Sequence, residues 1–308
     1  MSINKYIKAV YKVITNKNYR FLILAEKGAY DDMDDENYLK RKYKVCLGKE
    51  LDLDSPKTFN EKLQWLKLYN RKPEYTMMVD KYAVRKYIAD TIGEEYLIPL
   101  LGVWVNPDDI DFDALPNQFV LKCNHNSGLG MCICKDKSKL DIEKVKAGLR
   151  KGLEQDYYLT GREWPYKNVK HRIIAEKYMT TSGMDDLPDY KIHCFNGEPK
   201  FILYCSERFS KTGTKEDFLD TNWSNLPFKR PDLKCSDKIL KKPSRLNEML
   251  ELAKILSTNI PFLRCDFYEI KGSIYFGELT FFPASGLESF EPEEWDYKLG
   301  SWLELPRN

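Results

Sequence analysis

Much is missing from this chain of 308 residues, and each absence removes a class of function. Its eight cysteines, at 46, 123, 132, 134, 194, 205, 235 and 265, form no Cys-x-x-Cys pair. Thiols scattered in this way, with no secretory leader ahead of them, are expected to be reduced and cytoplasmic. No stretch approaches the ~20 apolar residues that a membrane-spanning helix needs. Lysines interrupt every apolar run in the first 20 residues, against a secretion signal. An excess of one charge is missing too: 49 Lys and Arg stand against 47 Asp and Glu, a net of +2. A global basic surface is therefore absent, and no nucleic-acid partner is expected. There is no Walker A loop, no Ser-His-Asp or Cys-His signature, no internal repeat and no low-complexity segment.

What is present is a globular composition, 43% hydrophobic and 31% charged, in a length that suits one large domain or two to three small ones. The 20 tyrosines fit glycan contact and an ordinary aromatic core equally well. Residues 1–20 carry five basic side chains and no acid. On a helical wheel Ile3, Tyr6, Ile7, Val10, Tyr11 and Ile14 share one side, with Lys5, Lys8 and Lys12 opposite. The plainer reading is a helix packed on the domain; the alternative is a peripheral contact with an anionic membrane. The acidic run that follows, at Asp31, Asp32, Asp34, Asp35 and Glu36, reads as a solvated turn rather than a metal site.

Residues 1–95 read as mostly helical, with one helix over 59–69 capped by Thr58 or Asn60 and another from Asp80 to about Ile92, ended by Gly93. Strands are expected at 119–122, 131–134 and 172–176, and helices at 138–155 and 244–257. Two hairpins are marked by two-residue turns, Asn196-Gly197 between 190–195 and 199–204, and Lys271-Gly272 between 263–270 and 273–279. Antiparallel hairpins mixed with helices argue an α+β fold.

Three constellations carry chemistry. Lys122 ends a strand and is followed by His125, Asn126, Ser127, Gly128 and Gly130. A strand-end lysine reaches phosphate oxygens, and a Ser/Gly turn folds backbone N–H groups over them. In protein kinases the glycine loop precedes the strand lysine, so that arrangement is excluded; a plain hairpin turn is the competing reading. The second is Glu176-Lys177-Tyr178-Met179, a strand end able to present backbone groups to an adenine edge. The third joins Arg264 and Asp266 to Glu278 and Thr280 across the second hairpin. Asp266 and Glu278 supply two hard oxygen ligands of the kind Mg²⁺ shares with nucleotide phosphates. Arg264 points to the same face as Asp266 and can neutralise a transferred phosphoryl group. A surface salt bridge among these three is the competing reading.

In this order the pieces resemble the ATP-grasp ligases, locally the D-alanine–D-alanine ligase branch. The phrases over 59–65, 189–197 and 275–280 resemble the TupA-like ATP-grasp family, whose name comes from teichuronopeptide biosynthesis; the resemblance covers roughly residues 40–308. It implies an ATP-grasp fold, two α+β subdomains clamping ATP, with a helical region at 1–95, a lid subdomain at 96–179 and a C-terminal subdomain with the Mg²⁺ site at 180–308. It implies ATP and Mg²⁺ as cofactors, and Lys81 and Lys122 as the phosphate lysines. Ser127, Gly128 and Gly130 would form the phosphate loop, and Glu176, Lys177, Tyr178 and Met179 the adenine hinge. Asp189 would hold the ribose, Arg264 would be catalytic, and Asp266, Glu278 and Thr280 would bind metal. The chain departs from the branch in carrying Glu278-x-Thr280 where Glu-x-Asn is usual, and a hydroxyl is a weaker Mg²⁺ ligand than an amide carbonyl.

The smaller features are read beside these. Lys191 alternates with His193 on one strand and is a candidate catalytic residue facing substrate or phosphate. His125 is a candidate phosphate contact. Cys132 and Cys134, with Cys123 and His125, could form a zinc site but more often such cysteines pack as small apolar residues. Asp109-Ile-Asp111 and Asp111-Phe-Asp113 fit a glycosyltransferase pattern, and 211–215 reads as a surface loop. The function expected is an ATP-dependent carboxylate–amine ligase, forming an amide through an acyl phosphate. Its setting would be surface-polysaccharide or capsule biosynthesis, with a uronic acid as the carboxylate. The alternatives are a glycosyltransferase and a non-catalytic nucleotide-binding partner of a membrane synthesis complex.

Overall fold

A computed structural model describes residues 15–180, 187–207 and 213–306. Most of the basic N-terminal helix of the sequence reading thus lies outside the described residues. Within them a helix spans Lys17–Glu26, with Asn16 accepting from the amides of Asn18 and Tyr19 and Phe21 buried.

Two antiparallel sheets organise the rest. The first has the order β1 (Leu100–Trp104), β4 (Ile173–Lys177), β2 (Phe119–Cys123), β3 (Cys132–Cys134). The second has the order β7 (Lys215–Asp220), β6 (Glu198–Ser206), β5 (Asp189–Phe195), β8 (Phe262–Ile270), β9 (Ser273–Thr280). Both hairpin turns are where the sequence put them. Asn196 and Gly197 have φ of 51° and 83°, Lys271 and Gly272 of 51° and 79°, the left-handed pair that matches strand twist. Strands β1 and β7 were missed in the sequence reading, and the segment read as a loop ends in β7.

Each sheet buries one face under a helix. Helix Ile142–Glu154 sets Leu149 and Leu153 against Phe119, Leu121, Cys123, Cys134, Ile173 and Ala175. Helix Leu246–Leu256 sets Met249, Leu252, Ala253 and Leu256 against Ile192, Cys194, Leu263, Cys265 and Leu279. Cys194 and Cys265 both direct Sγ at the Ala253 carbonyl, so these thiols pack as small apolar side chains. Residues i and i+2 of a strand share a face, so Asp189 and Lys191, Arg264 and Asp266, and Glu278 and Thr280 stand on the face away from that helix.

The helical N-terminal region braces the second sheet. Helix Phe59–Tyr69 begins with a capping box, Thr58 receiving the Glu61 amide and Glu61 reaching back to the Thr58 amide. It buries Phe59, Leu63 and Leu66 in the same core as the sheet. A separate helix, Pro73–Val79, precedes Val84–Thr91; the sequence reading began the latter four residues too early, because Asp80 caps the turn by accepting from the Tyr82 and Ala83 amides. The acidic run is only partly a solvated turn. Asp34 caps helix Asp35–Leu47, and Asp35 pairs with Arg71 at 2.6 Å and accepts from Tyr158 at 2.5 Å. Asp111 accepts from the Asp113 and Ala114 amides, so one acid of the Asp-x-Asp pattern is a turn cap.

Candidate active site

The two sheets face each other across a cleft of about 200 Å³. From the first side come Lys81, Lys122, Asn126, Ser127 and Gly128; from the second, Asp189, Lys191, Asp266, Tyr268, Gly277 and Glu278.

On the second side the strand register does the assembling. Lys191 of β5 is opposite Asp266 of β8, and Asp266 is opposite Glu278 of β9, so three charged side chains lie in one row across three strands. Arg264 and Thr280 are paired in the next row on the same face. The Arg264 guanidinium grips Asp266 with two parallel bonds of 2.7 Å each and reaches Glu278 at 3.1 Å. Lys191 donates to Asp266 at 2.5 Å and lies 3.1 Å from Asp189. Burial opposes the Asp266 charge, but Arg264 and Lys191 outweigh it and hold its carboxyl below the usual range. The same pairing keeps Lys191 protonated against its burial.

On the first side Lys122 and Glu176 form a pair of 2.6 Å on neighbouring strands, and Arg85 holds the other Glu176 oxygen at 3.2 Å. Lys81 donates from Nζ to the Asn126 carbonyl at 2.7 Å, and its backbone amide donates to the Asn124 carbonyl. Desolvation pulls the Lys81 pKa down, with Glu278 acting against it across the cleft. The loop is held from below. Asn124 binds Asp80 and the Lys170 carbonyl, and Asn126 binds the Gly152 carbonyl. Neither asparagine was singled out from the sequence; an Asn in a polar turn carries no marker of its partners until they are folded around it.

The two loop glycines serve different ends. Gly128 has φ +83° with open space where a Cβ would stand. At Gly130, φ +76°, a Cβ would come within 3.0 Å of the Gly148 carbonyl and 3.3 Å of Cys123 Sγ. Gly130 therefore lets the loop lie close on helix Ile142–Glu154, and it is not among the residues lining the cleft. Nor are Glu176, Lys177, Tyr178 and Met179; Glu176 stands behind Lys122, and the Lys177 amide donates to the Pro99 carbonyl. Thr280 and Arg264 border the row of acids without lining the cleft.

His125, read as a candidate phosphate contact, is not among the residues lining the cleft. It is buried, its Nε2 bonds the Gln155 carbonyl at 3.1 Å, and its ring stacks on His171 with centroids 3.5 Å apart. Burial, followed by His171, lowers its pKa to about 4. A histidine with a lowered folded pKa is protonated first in the unfolded chain, so stability falls as pH drops from about 6.5 toward 4. Urea unfolding at about pH 7 and about pH 4.5 is expected to lose on the order of 2 kcal/mol more in the parent than in His125→Gln. Equal losses in both would refute this placement of the acid sensitivity.

Among the described residues no cluster of three or more His, Cys, Asp or Glu could hold a metal. The donor set at Asp266 and Glu278 nevertheless fits Mg²⁺, which takes one or two carboxylates and completes its octahedron with water and substrate phosphates. The set includes no His or Cys, the ligands on which most Zn²⁺ sites are built.

The profile of the family described as TupA-like ATPgrasp matches residues 61–304, most of the chain. No curated protein matches the sequence. Among solved structures, the D-alanine–D-alanine ligase from Bacillus anthracis complexed with ATP is 16% identical over 67% of this chain, with a TM-score of 0.39. The chain spans about half of that ligase, 54% of its length. The D-alanine–D-alanine ligase from Helicobacter pylori is 18% identical over 80% of this chain and 69% of its own, with a TM-score of 0.40. The ATP-grasp ligase PsnB, complexed with minimal precursor, Mg and ADP, is 11% identical over 83% and 64%, with a TM-score of 0.39. With a family profile spanning both sheets and the helices that brace them, the chain belongs to the TupA-like ATP-grasp family and has an α+β, ATP-grasp fold.

Proposed function

We propose that the protein is an ATP-dependent carboxylate–amine ligase that activates its carboxylate as an acyl phosphate. The observation that carries this reading is the row Lys191–Asp266–Glu278 with Arg264 beside it, facing Lys81, Lys122 and the Ser127–Gly128 loop across one cleft. Two lysines and a loop of backbone amides form a cradle for phosphates, and two carboxylates form a metal edge opposite.

Lys81 and Lys122 would bind the phosphates, with Ser127 and Gly128 over them and Gly130 seating the loop on helix Ile142–Glu154. Glu176–Met179 would carry the adenine and Asp189 the ribose. Asp266 and Glu278, with Thr280 as a weaker third donor, would hold Mg²⁺, which when bound supplies Lewis-acid neutralisation of phosphate charge. The substrate carboxylate then attacks the γ-phosphorus. Arg264 and Lys191 offset the charge that spreads over the transferring phosphoryl oxygens. An amine then attacks the acyl carbon and displaces phosphate, giving an amide and inorganic phosphate. No protein nucleophile is required, and catalysis is positioning plus electrostatics.

The carboxylate we propose is a uronic acid of a surface-polysaccharide precursor, and the amine an amino acid or amino sugar. The test is ADP and phosphate release from Mg-ATP with mixtures of uronic acids and amines. Substrate-dependent release that falls about 100-fold or more in Lys122→Ala and in Glu278→Ala is the expected result. A protein that binds no ATP would refute the ligase.

A further inference from the structure

Lys191 stands between two acids of its own sheet. Its Nζ donates to Asp266 Oδ2 at 2.5 Å and lies 3.1 Å from Asp189 Oδ2. All three residues line the cleft, as does Glu278. The contact with Asp266 falls on an oxygen already in use: Arg264 Nη2 donates to the same Oδ2 at 2.7 Å, and Arg264 Nε donates to Oδ1 at 2.7 Å. A carboxylate offers about four lone-pair directions. Three of those on Asp266 are therefore filled, by two Arg264 bonds and one from Lys191. Any further cation that approaches Asp266 meets two positive groups already bonded to it.

The two groups are not equally fixed. Arg264 grips Asp266 as a planar fork and reaches Glu278 as well, three bonds from one rigid group. Lys191 makes a point contact at the end of a flexible four-carbon stem, and Asp189, two residues away on the same face of β5, offers it a second partner. It can leave Asp266 without leaving the site. Charge favours that move once phosphates arrive. On this wall Lys191 and Arg264 face Asp189, Asp266 and Glu278, two positive groups against three negative, so one negative charge is uncancelled. A dication added to that set would leave an excess of positive charge. With Lys191 drawn onto a phosphate, two negative charges remain uncancelled, and they match Mg²⁺.

We infer that Lys191 is a tethered competitor of the metal. It holds Asp266 against free Mg²⁺ and yields that oxygen when the phosphates of a nucleotide take its ammonium, so that metal and nucleotide load together. This rests on the metal edge of the ligase reading above. It makes Lys191 a positioning residue before the chemistry as well as a charge beside it.

The test is metal binding by the nucleotide-free protein, read by electron paramagnetic resonance with Mn²⁺, which suits the same hard oxygen ligands. Lys191→Met is expected to bind Mn²⁺ about tenfold or more tightly than the parent, since a positive charge in contact with the ligand oxygen is gone. Lys191→Arg, which keeps the charge, should stay within about threefold of the parent. The gain should vanish when Lys191→Met is combined with Asp266→Asn, which locates it at this site. With a non-hydrolysable ATP analogue the order should reverse, the parent holding Mn²⁺ more tightly because its lysine then sits on phosphate. A lysine that only contacts phosphate, or only supports the fold, would give Lys191→Met no gain without nucleotide. Lys191→Gln, which keeps a donor to Asp266 without the charge, decides the matter if Lys191→Met does not fold. Equal or weaker Mn²⁺ binding in the neutral variants, a gain that survives Asp266→Asn, or an order that does not reverse would overturn the inference and leave the ligase reading in place. No Mn²⁺ bound by the parent even with the ATP analogue would overturn the metal edge, and the ligase reading with it.

Discussion

Asp266→Asn is expected to lower ADP release from Mg-ATP by about 10³-fold or more. Asp266 is the most engaged carboxylate of the site: its two oxygens take three contacts, two from Arg264 and one from Lys191 on its own sheet, and the cross-strand neighbour Glu278 shares the Arg264 guanidinium. An amide of the same size keeps the shape and removes the charge. The proposed metal edge would then have one carboxylate, and Lys191 and Arg264 would lose their shared anionic partner. Steady-state ADP release over a range of Mg²⁺ concentrations is the measurement. The required Mg²⁺ concentration should rise as the maximal rate falls, whereas a variant within tenfold of the parent at saturating Mg²⁺ would remove Asp266 from the metal edge.

Arg264→Met is expected to cost about 3–5 kcal/mol of stability as well as turnover. The Arg264 side chain is 12% exposed and Asp266 2%, so the ion pair is desolvated on both sides. Deleting the guanidinium leaves Asp266 with Lys191 as its remaining cation and leaves Glu278, 40% exposed, to solvent. Removal of one partner from a buried pair is far more costly than a surface pair would suggest, because the other charge stays buried. Chemical unfolding measures this directly. Mg²⁺ with a nucleotide should stabilise the variant more than it stabilises the parent, since the metal replaces the lost positive charge. A loss below about 1 kcal/mol would place Arg264 among ordinary surface ion pairs.

A good part of this fold was legible in the sequence. The Asn196-Gly197 and Lys271-Gly272 turns work through neighbouring residues only, and both hairpins form around them. Thr58 and Glu61 likewise carry their capping geometry in a four-residue window. The unread strands are those without such local support. β1 pairs only with β4, some 70 residues away, and β7 pairs only with β6 within its sheet, so neither has a tight turn to announce it. The helix expected from Asp80 failed for a related reason: the Asp80 side chain caps a turn and binds Asn124, a partner 44 residues distant.

The candidate site divides along the same line. The residue types and their order are in the sequence: a strand lysine before a glycine loop, then an arginine, two carboxylates and a threonine on one hairpin. Alternation also put Arg264 with Asp266 and Glu278 with Thr280. It did not settle which acid meets which. A regular hairpin through Lys271-Gly272 pairs Phe267 with Phe276 and would carry Asp266 on to Gly277. A bulge between Asp266 and Phe267 in the ladder shifts the pairing by one, so that Asp266 meets Glu278. The same bulge keeps Phe276 in the core with Leu279 while Glu278 faces the cleft, although strict alternation would put residues 276 and 278 on one face. The reach of Lys67 to Ser285, 218 residues along the chain, is of the same kind. Local chemistry is a property of neighbouring residues and is written in their order. Register, and the meeting of distant side chains, depend on how the packed cores close, and only the tertiary structure decides them.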